Sequence, residues 1–452
     1  MPSHANITRL SVPQTPHSDL LGAMANVGAG GLVWRMAGEP NIPAGYLDDP
    51  THGVNCWSED VAYEISWKLH AEIGKASRCL HAMCLSVVEE AMTNDALMAR
   101  LHIPRPAMEF VRQSWKDRDP FFIGRFDFAI LDGIPKMLEY NADTPEGVIE
   151  SSLFQNIWAV QNASWLPSCG DGYSPLADNI ISWVAELIDT QRIWKTDGSI
   201  SSSLMSAYGL NPRPIFVAGR PIRLKESDAA HSEMLACLIR RAIAMTRTTL
   251  GAVVLKIDIQ ALGLDSGGSF LHPINIGDDS SQGVPIKCLV RSYPWEQMFD
   301  DIDAAGMSKA NCRFLSPPWT SLISTKAILP VLYEKWGRCP YLLPAEDGHN
   351  TPSALTEYVT KPVHSRGGDN ISIFKDAGRK TASTDGDYDY KPVIRQQFVD
   401  TRIGGHYTTA SGWIVGNGIF SGLAFRESGD PIARDYSTMV PWYLRDGPPS
   451  AP

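Results

Sequence analysis

The sequence has eight cysteines but no C-x-x-C pair, and the cysteines are scattered between Cys56 and Cys339. Their spacing therefore indicates neither a zinc knuckle nor a disulfide framework, and we interpret them as buried thiols. No apolar run is long enough to cross a bilayer, and the polar first residues, MPSHANITRLSVPQTPHSD, lack the charged-then-apolar layout of a signal peptide. From these absences we expect a cytoplasmic protein with no membrane partner.

The chain also lacks an excess of basic residues. It has 40 Lys and Arg residues against 50 Asp and Glu residues, which gives a formal net charge of -10. This balance argues against a nucleic-acid partner bound through a broad basic surface, although it is compatible with a local basic groove for a nucleotide. The 452 residues, 44% of them hydrophobic, are enough for two or three subdomains with sizeable cores.

The motifs of two common nucleotide-binding folds are missing. The sequence contains no G-x-x-x-x-G-K-[ST] loop, which excludes a P-loop, and no G-x-G-x-x-G follows a predicted strand, so a Rossmann site is not supported. It also has no nucleophile elbow. A nucleotide site in this chain must therefore be built from other elements.

Helical and strand-like patterns alternate along the chain, which predicts an α/β or α+β layout. Residues 1–55, rich in Gly, Pro and Asn, are interpreted as an N-terminal arm. A long helix is predicted from an N-cap at Ser58 through residue 87. The other predictions are helices at 107–115, 149–160, 180–188 and 231–245, strands at 213–217, 250–257 and 286–290, and a surface loop at 265–281.

Residues 124–147, GRFDFAILDGIPKMLEYNADTPEG, are the most informative segment. Apolar and polar residues alternate on both sides of Asp132-Gly133, which predicts a β-hairpin. A three-residue loop around Gly133 would place Asp127 opposite Glu139, with Asn141 two residues further along the same face. Two carboxylates and an amide suit Mg²⁺. A solvated surface hairpin is the alternative, and spacing alone leaves it open, because a slip of one residue would separate the three side chains.

Three cationic residues lie in the C-terminal half of the chain beside possible anion sites. Lys326 is at the start of a predicted helix, and Lys361 ends a predicted strand just before a loop with Arg366, Gly367 and Gly368. Backbone N–H groups of a glycine turn and neighbouring cations can together hold phosphate. A double glycine is also typical of an ordinary hairpin turn, so both interpretations stay open here.

Arg426 lies in a strand that is otherwise filled by Leu423, Ala424 and Phe425. A cation in such a strand needs an anionic partner or solvent. It could bind an anionic ligand, or it could simply lie at a sheet edge in contact with water.

Taken together, these segments resemble the synthetase domain of glutathionylspermidine synthetases, a branch of the ATP-grasp superfamily. The resemblance covers about residues 57–444 and implies an ATP-grasp fold with helical and mixed-sheet substrate subdomains. It assigns residues 56–450 to this domain and 315–395 to the lid subdomain. The matching segments, in order, are RFDF, LEYNADTP, SYPWE, STKAILP, KPVHSRGGDNI, GLAFRE and STMVPWYL.

The resemblance also implies roles for individual residues. It makes Asp127, Glu139 and Asn141 the Mg²⁺ ligands and Lys326 and Lys361 the nucleotide-binding lysines. Arg366, Gly367 and Gly368 then belong to the loop that closes over the phosphates, within a lid at about 360–375. Arg125 and Arg426 surround the acyl carboxylate and the transferred phosphate, and Thr144 and Glu146 contact substrate.

The implied reaction uses ATP and Mg²⁺ to join a small-molecule or peptide carboxylate to an amine. The carboxylate takes the γ-phosphoryl group to give an acyl phosphate and ADP, and the amine then displaces phosphate. The alternatives are an amino-acid or peptide ligase or a phosphotransferase without a polyamine, and a catalytically inactive nucleotide-binding partner protein. The sequence does not indicate an oligomeric state.

Two departures from the family refine this expectation. Glu146 stands where glutathione-using members carry a small hydroxyl residue, and a carboxylate there would repel a substrate carboxylate at short range. We therefore expect substrates other than glutathione plus spermidine. The residues before Trp57 are too few for the amidase domain of the bifunctional members, so a synthetase without its amidase is expected.

Overall fold

The computed structural model describes most of the chain. The residues described are 6–12, 48–49, 54–58, 60–164, 166–167, 172–196, 198–199, 212–219, 226–248, 251–272, 283–301, 304–348, 353–376, 378–389, 392–434 and 437–446.

Helices and strands are interspersed throughout the described residues. The α-helices are α1 (Trp67–Ala91), α2 (Asp95–Arg100), α3 (Met108–Lys116), α4 (Gln155–Gln161), α5 (Leu176–Asp189), α6 (Glu226–Met245), α7 (Trp295–Asp301), α8 (Ala304–Met307), α9 (Ser321–Ser324) and α10 (Ile328–Trp336). The strands are β1 (Ile7–Ser11), β2 (Asp48–Asp49), β3 (Val54–Asn55), β4 (Val61–Ile65), β5 (Ile123–Leu131), β6 (Ile134–Asn141), β7 (Arg213–Gly219), β8 (Ala252–Asp258), β9 (Gly263–Leu264), β10 (Phe270–His272), β11 (Val284–Pro285), β12 (Cys288–Arg291), β13 (Arg313–Leu315), β14 (Ala345–Asp347), β15 (Tyr358–Pro362), β16 (Ser372–Lys375), β17 (Arg379–Ser383), β18 (Val393–Gln397), β19 (Arg402–Ile403), β20 (His406–Val415), β21 (Ile419–Ser428), β22 (Thr438–Val440) and β23 (Trp442–Leu444).

An antiparallel sheet of order β22-β21-β20-β5-β6, with β19 paired to β20, forms the centre of the structure. The long helix α1 packs across β20, β21 and β6 and buries an apolar stripe that includes Leu69, Ile73 and Leu80. The approach is close at Gly412 of β20, where an added Cβ would lie 2.3 Å from the Ser77 hydroxyl of α1. This helix fixes the back of the sheet, and the opposite face carries the polar residues described below.

Two further sheets flank the central one. The first is antiparallel, with order β14-β18-β15-β16-β17, and its strand β15 carries Lys361; we refer to it as the lid sheet. The second is parallel, with order β13-β12-β7-β8, and helix α6 packs on its strands β7 and β8. The remaining small sheets are β1-β4-β23, β11-β10-β9 and β2-β3.

The predicted start of the first long helix is wrong. Residues 61–65 form strand β4, which pairs with β1 and β23, and α1 begins only at Trp67. Its N-cap is Ser66, whose hydroxyl accepts a hydrogen bond from the Leu69 N–H, rather than Ser58. The Tyr63 hydroxyl in β4 is buried and donates to Glu427, so partners far away in sequence determine the strand.

The predicted surface loop at 265–281 is also wrong in part. Strand β10 lies within it, and Phe270 is almost completely buried. Residues 273–281 of that prediction lie outside the described residues.

The other predicted elements appear close to their predicted bounds, with two refinements. Residues 149–160 begin with a π-helical segment (Ile149–Phe154) before α4, and the strand predicted at 286–290 is β12. The α/β fold class is confirmed. The domain bounds stay a prediction; within 1–55, β1 pairs with β4, and residues 13–47 lie outside the described residues. Among the described helices, none is long and apolar enough to span a membrane.

Candidate active-site cleft

The hairpin at residues 124–147 pairs its carboxylates as predicted, although its local geometry differs. Leu131 pairs directly with Ile134, so the turn has two residues rather than three, Asp132 (φ 51°) and Gly133 (φ 77°). Positive φ at both positions favours Asp-Gly in this kind of turn. A β-bulge then restores the predicted pairing, because Phe128 faces Met137 whereas Asp127 faces Glu139, which leaves Leu138 as the extra residue.

Asp127, Glu139 and Asn141 project from the same face of this hairpin. The Asn141 amide nitrogen lies 3.2 Å from the Glu139 carboxylate and 3.5 Å from the Asp127 carboxylate. The Arg125 guanidinium donates two bonds of 2.8 Å to Asp127, and the Ser411 hydroxyl donates a third of 2.8 Å. The three side chains therefore meet at one point, with the Asn141 amide donating to both carboxylates, and Arg125 and Ser411 hold Asp127 in place.

This donor set fits Mg²⁺. No cluster of three or more His, Cys, Asp or Glu side chains with metal-site geometry occurs in the part of the chain that the structure describes. The candidate site instead combines two carboxylates, those of Asp127 and Glu139, with the amide of Asn141. Mg²⁺ usually takes only one or two carboxylates and completes its octahedron with water and substrate phosphate oxygens.

Two lysines approach Glu139 from other elements. The Lys326 ammonium lies 3.2 Å from the Glu139 carboxylate and donates to the Ser365 carbonyl at 2.9 Å. Lys361, on β15 of the lid sheet, donates to the Leu138 carbonyl at 2.9 Å and to the Gln396 side-chain oxygen at 2.8 Å. The extra residue of the bulge is therefore bonded directly to the lid sheet.

Burial and these charges shift two pKa values. The pKa of Lys361 is lowered to about 8, chiefly by burial and also by the neighbouring Lys326, whereas Glu139 opposes the shift. Burial alone would raise the pKa of Glu139, but Lys326 and Lys361 outweigh it and hold that pKa well below its usual value. Glu139 is consequently ionised throughout the neutral range.

Arg426 lies on β21 opposite Thr409 of β20 and lines the same cleft. It is half-buried, and its guanidinium has no hydrogen-bond or ion-pair partner within the described ranges. By contrast, Arg125 is almost completely buried and is occupied by Asp127 and by the Glu146 carbonyl. Arg426 is thus the arginine that is available to an anionic ligand.

The loop after β15 brings Arg366 to the residues that follow the hairpin. Gly367 (φ 57°) and Gly368 (φ 75°) have left-handed backbones, and a Cβ at Gly368 would lie 2.2 Å from the Ala433 carbonyl oxygen, so only glycine fits there. Arg366 donates to the Thr144 hydroxyl, and its guanidinium lies 3.9 Å from the Glu146 carboxylate. The loop therefore covers one end of the cleft.

All twelve residues predicted to form the site line this one cleft, whose cavity volume is about 230 Å³. The central sheet supplies five of them, the lid sheet and the loop after β15 supply four, and Thr144, Glu146 and Lys326 come from other segments. Their individual roles stay predictions. The twelve are Arg125, Asp127, Glu139, Asn141, Thr144, Glu146, Lys326, Lys361, Arg366, Gly367, Gly368 and Arg426.

Several residues of the cleft and its support were not predicted from the sequence. The Ser411 hydroxyl donates to Asp127, and the Gln396 side-chain oxygen accepts from Lys361. Glu296 of the SYPWE segment also lines the cleft. Behind them, Asp143 and Arg291 form a buried ion pair of 2.6 Å. The adjacency of Asp143 to the hairpin motif was the only sequence signal for this pair, because Arg291 is 148 residues away.

The fold and the cleft define a class of protein in which a central antiparallel sheet and a smaller lid sheet enclose a polar, cation-rich cleft. The chain belongs to the glutathionylspermidine synthase preATP-grasp family, whose family model matches residues 41–213 and 220–445. The prediction of this family, and of its ATP-grasp-like α/β fold, is confirmed.

Several curated proteins are similar to this chain. A Haemophilus influenzae protein provisionally named an acid–amine ligase is 26% identical over 415 residues, which cover 89% of this chain and 95% of that protein. The bifunctional glutathionylspermidine synthetase/amidase of Escherichia coli is 24% identical over 404 residues, covering 84% of this chain and 58% of that protein. The trypanothione synthetase of Crithidia fasciculata is 22% identical over 395 residues, covering 81% and 54%. The matched region therefore spans little more than half of the latter two proteins.

Proposed function

We propose that this chain is an ATP-dependent ligase that joins a carboxylate to an amine through an acyl-phosphate intermediate and releases ADP and phosphate. The names of its relatives, an acid–amine ligase and two synthetases, support a ligase that forms carbon–nitrogen bonds. The observation that carries the proposal is the balance of charge in the cleft.

Most charges in the cleft neutralise one another. Arg125 pairs with Asp127, Lys326 with Glu139, and Arg366 with Glu146. Beyond these pairs, the described lining carries two further cations, Arg426, which has no partner, and Lys361, which lies near Glu139 but donates to neutral oxygens, against one further carboxylate, that of Glu296, so the cleft is net positive. Uncompensated positive charge beside a Mg²⁺-type donor set is what a triphosphate and a carboxylate require.

In this proposal the hairpin holds the metal and the lysines hold the nucleotide. Asp127, Glu139 and Asn141 would ligate Mg²⁺, which when bound neutralises charge on the phosphate oxygens. Arg125 and Ser411 keep Asp127 oriented, and Lys326 and Lys361 approach the phosphates from the lid side. The protein thus supplies position and charge, which is most of what phosphoryl transfer needs.

Arg426 is assigned to the reacting groups. A substrate carboxylate held by this guanidinium attacks the γ-phosphorus, the bond to ADP breaks, and an acyl phosphate forms. An amine then attacks the acyl carbon, phosphate leaves with the bonding electron pair, and the amine loses a proton to give the amide. Arg426 stabilises negative charge on the carboxylate and then on the phosphoryl oxygens.

The glycine-containing loop at 363–371 is proposed to exclude water from the acyl phosphate. Its Arg366 already bridges to Thr144 and Glu146 on the other side of the cleft. Because Glu146 occupies Arg366 and adds a negative charge there, we propose that the substrates are not glutathione plus spermidine.

Incubation of the protein with Mg²⁺, ATP and pools of carboxylic acids and amines tests the proposal. Mass spectrometry should find a product with the summed mass of one acid and one amine minus water, formed together with ADP. Phosphate transfer to an acid without any amine product would indicate a phosphotransferase instead. Binding of Mg²⁺ and ATP without turnover in any pool would indicate a non-catalytic nucleotide-binding protein.

A further inference from the structure

Two cysteines from distant parts of the sequence meet on the α1 side of the central sheet. Cys79 lies on α1 and Cys339 lies just after α10, and their side chains are hydrogen-bonded to each other. Both are free thiols, and both pack against the same hydrophobic core. We call these two residues the thiol pair. The proposed reaction gives them no role.

The thiol pair is within reach of solvent. Four of the seven cysteines that the structure describes are buried, whereas Cys56, Cys79 and Cys339 are partly exposed. The prediction of buried thiols is therefore wrong for these three. Arg338 and Pro340, on either side of Cys339, are exposed. A small reagent can thus approach the pair from the surface.

Contacts on both sides of Cys339 hold its segment against α1. Before it, the Lys335 ammonium lies 2.6 Å from the Glu90 carboxylate of α1. After it, the Tyr341 hydroxyl donates a hydrogen bond of 2.6 Å to Glu72 of the same helix. Helix α10 itself packs on α1. Because the fold already brings the two sulfurs together, a bond between them requires little backbone movement.

The thiol pair is poorly suited to nucleophilic catalysis or to metal binding. The pKa of the Cys79 thiol is raised, chiefly by burial and also by the Cys339 thiol, whereas Lys75 opposes the shift. Both functions depend on a thiolate, which a raised pKa disfavours. In the part of the chain that the structure describes, no group of three or more His, Cys, Asp or Glu side chains could hold a metal ion. Oxidation to a disulfide is the remaining chemistry of two adjacent thiols.

We propose that Cys79 and Cys339 form a reversible disulfide bond when a peroxide is present. One sulfur attacks a peroxide oxygen, the O–O bond breaks, and a sulfenic acid forms. The second sulfur attacks the sulfenic sulfur, the S–S bond forms, and hydroxide leaves. With hydrogen peroxide, the two thiols give up two electrons and two protons, and two water molecules are produced. A dithiol reductant reverses the reaction by thiol–disulfide exchange.

This bond would join the back of the central sheet to the base of the lid sheet. Helix α1 packs across the central sheet, and the segment after Cys339 leads into β14 at the edge of the lid sheet. In that segment the Tyr341 carbonyl accepts a hydrogen bond of 2.8 Å from the Met137 N–H of β6. Because the disulfide closes a long loop of chain, it should stabilise the folded protein. The inference is independent of the proposed function.

Peptide mapping without reductant tests the proposal. The full-length protein is treated with hydrogen peroxide, its remaining thiols are blocked with N-ethylmaleimide, and the digest is sequenced by tandem mass spectrometry. We expect a cross-linked peptide pair that joins Cys79 to Cys339 and that dithiothreitol separates. The unfolding temperature of the oxidised protein should fall by a few degrees when dithiothreitol is added. Dithiothreitol does not reduce oxidised methionines, so this difference reports the disulfide alone.

Cys339→Ser should lose both the cross-link and the effect of dithiothreitol on the unfolding temperature. Cys56→Ser is the matched control, because Cys56 is also partly exposed and lies outside the thiol pair, and it should behave like the wild type. Blocked thiols at both Cys79 and Cys339 after peroxide treatment, or a bond from either one to a different cysteine or a second molecule, would overturn the inference. An unfolding temperature that dithiothreitol leaves unchanged or raises would overturn it as well. None of these results bears on the proposed ligase function.

Discussion

The Lys361 ammonium donates a hydrogen bond of 2.9 Å to the Leu138 carbonyl, and this bond joins the two halves of the site. Leu138 is the extra residue of the bulge that puts Glu139 opposite Asp127. Gln396, also on the lid sheet, holds the same lysine and donates to the Met137 carbonyl at 2.9 Å. The position of the lid sheet and the register of the proposed metal ligands are therefore coupled.

The lowered pKa of Lys361 predicts how nucleotide affinity depends on pH. The lysine loses its proton as the pH rises through about 8, and the neutral amine no longer attracts phosphate. If only the protonated form binds, Mg²⁺–ATP should bind about tenfold more weakly at pH 9 than at pH 7. Lys361→Arg should remove this dependence, because arginine stays charged. Calorimetric titrations at several pH values measure it, and an unchanged slope in Lys361→Arg would show that another group titrates.

The lowered pKa of Lys361 also determines whether its contribution to the free energy of unfolding rises or falls with pH. Between about pH 8 and 10.5 the unfolded chain carries a proton on Lys361 that the folded protein has lost. This group alone therefore makes the free energy of unfolding rise with pH across that window.

Replacing Arg426 should affect turnover more than nucleotide binding. Arg426→Ala removes the unpartnered cation assigned to the reacting carboxylate and phosphoryl oxygens, so we expect kcat to fall about 100-fold. Arg379→Ala is the control, since Arg379 is an exposed residue of the lid sheet that pairs with Asp376. Coupled ADP-release kinetics with the substrates from the pooled screen measure both variants. Undiminished kcat in Arg426→Ala would remove this residue from the mechanism.

Glu139→Gln should weaken Mg²⁺-dependent ATP binding and destabilise the free protein. The change removes one proposed metal ligand, the ion-pair partner of Lys326 and the carboxylate that favours the charged form of Lys361, which we expect to lower the free energy of unfolding by about 1–3 kcal/mol. Because the pKa of Glu139 is depressed in the folded state, its contribution is present above pH 4.5 and is lost as the pH falls further. Urea denaturation at pH 7 and pH 4 compares Glu139→Gln with Glu109→Gln, whose carboxylate is 59% exposed. Equal midpoints at pH 7 would contradict the prediction.

The buried pair Asp143–Arg291 supports the cleft without lining it. Asp143→Ala would leave the Arg291 guanidinium buried without its counter-charge, at a cost of about 3–5 kcal/mol in the free energy of unfolding. Arg291 also stacks on the Trp295 ring, 3.7 Å from its centroid, so the apolar replacement Arg291→Met should partly compensate. Urea denaturation should find the double variant more stable than Asp143→Ala. The reverse order would show that the pair is not the relevant interaction.

The hairpin shows what sequence patterns can and cannot predict. Alternation and the Asp132-Gly133 turn correctly placed Asp127 opposite Glu139, because side chains repeat with period two. The backbone of the hairpin differs from the prediction, because a two-residue turn and a bulge at Leu138 together give the pairing that a three-residue loop would have given. Local sequence patterns do not distinguish a three-residue loop from a two-residue turn with a bulge, because the bulge is held by Lys361 and Gln396 of the lid sheet.

The errors have a similar origin. Val61 and Ile65 fit helical spacing as well as a strand, and pairing with β1 and β23 decides between them. Arg291 and Glu296 gave no local sign of their surroundings, because their neighbours come from distant parts of the chain. The twelve site residues were found together only because the family resemblance supplied the long-range pairing that composition and periodicity lack.

The transfer of oxygen from the acid to phosphate tests the central claim most directly. The acid identified in the pooled screen is labelled with ¹⁸O in its carboxylate and converted completely with Mg²⁺, ATP and its amine. We predict that mass spectrometry finds one ¹⁸O atom in each released phosphate and none in the nucleotide, because an acyl phosphate passes one carboxylate oxygen to phosphate. Unlabelled phosphate, or label in AMP, would contradict the acyl-phosphate ligase proposed here.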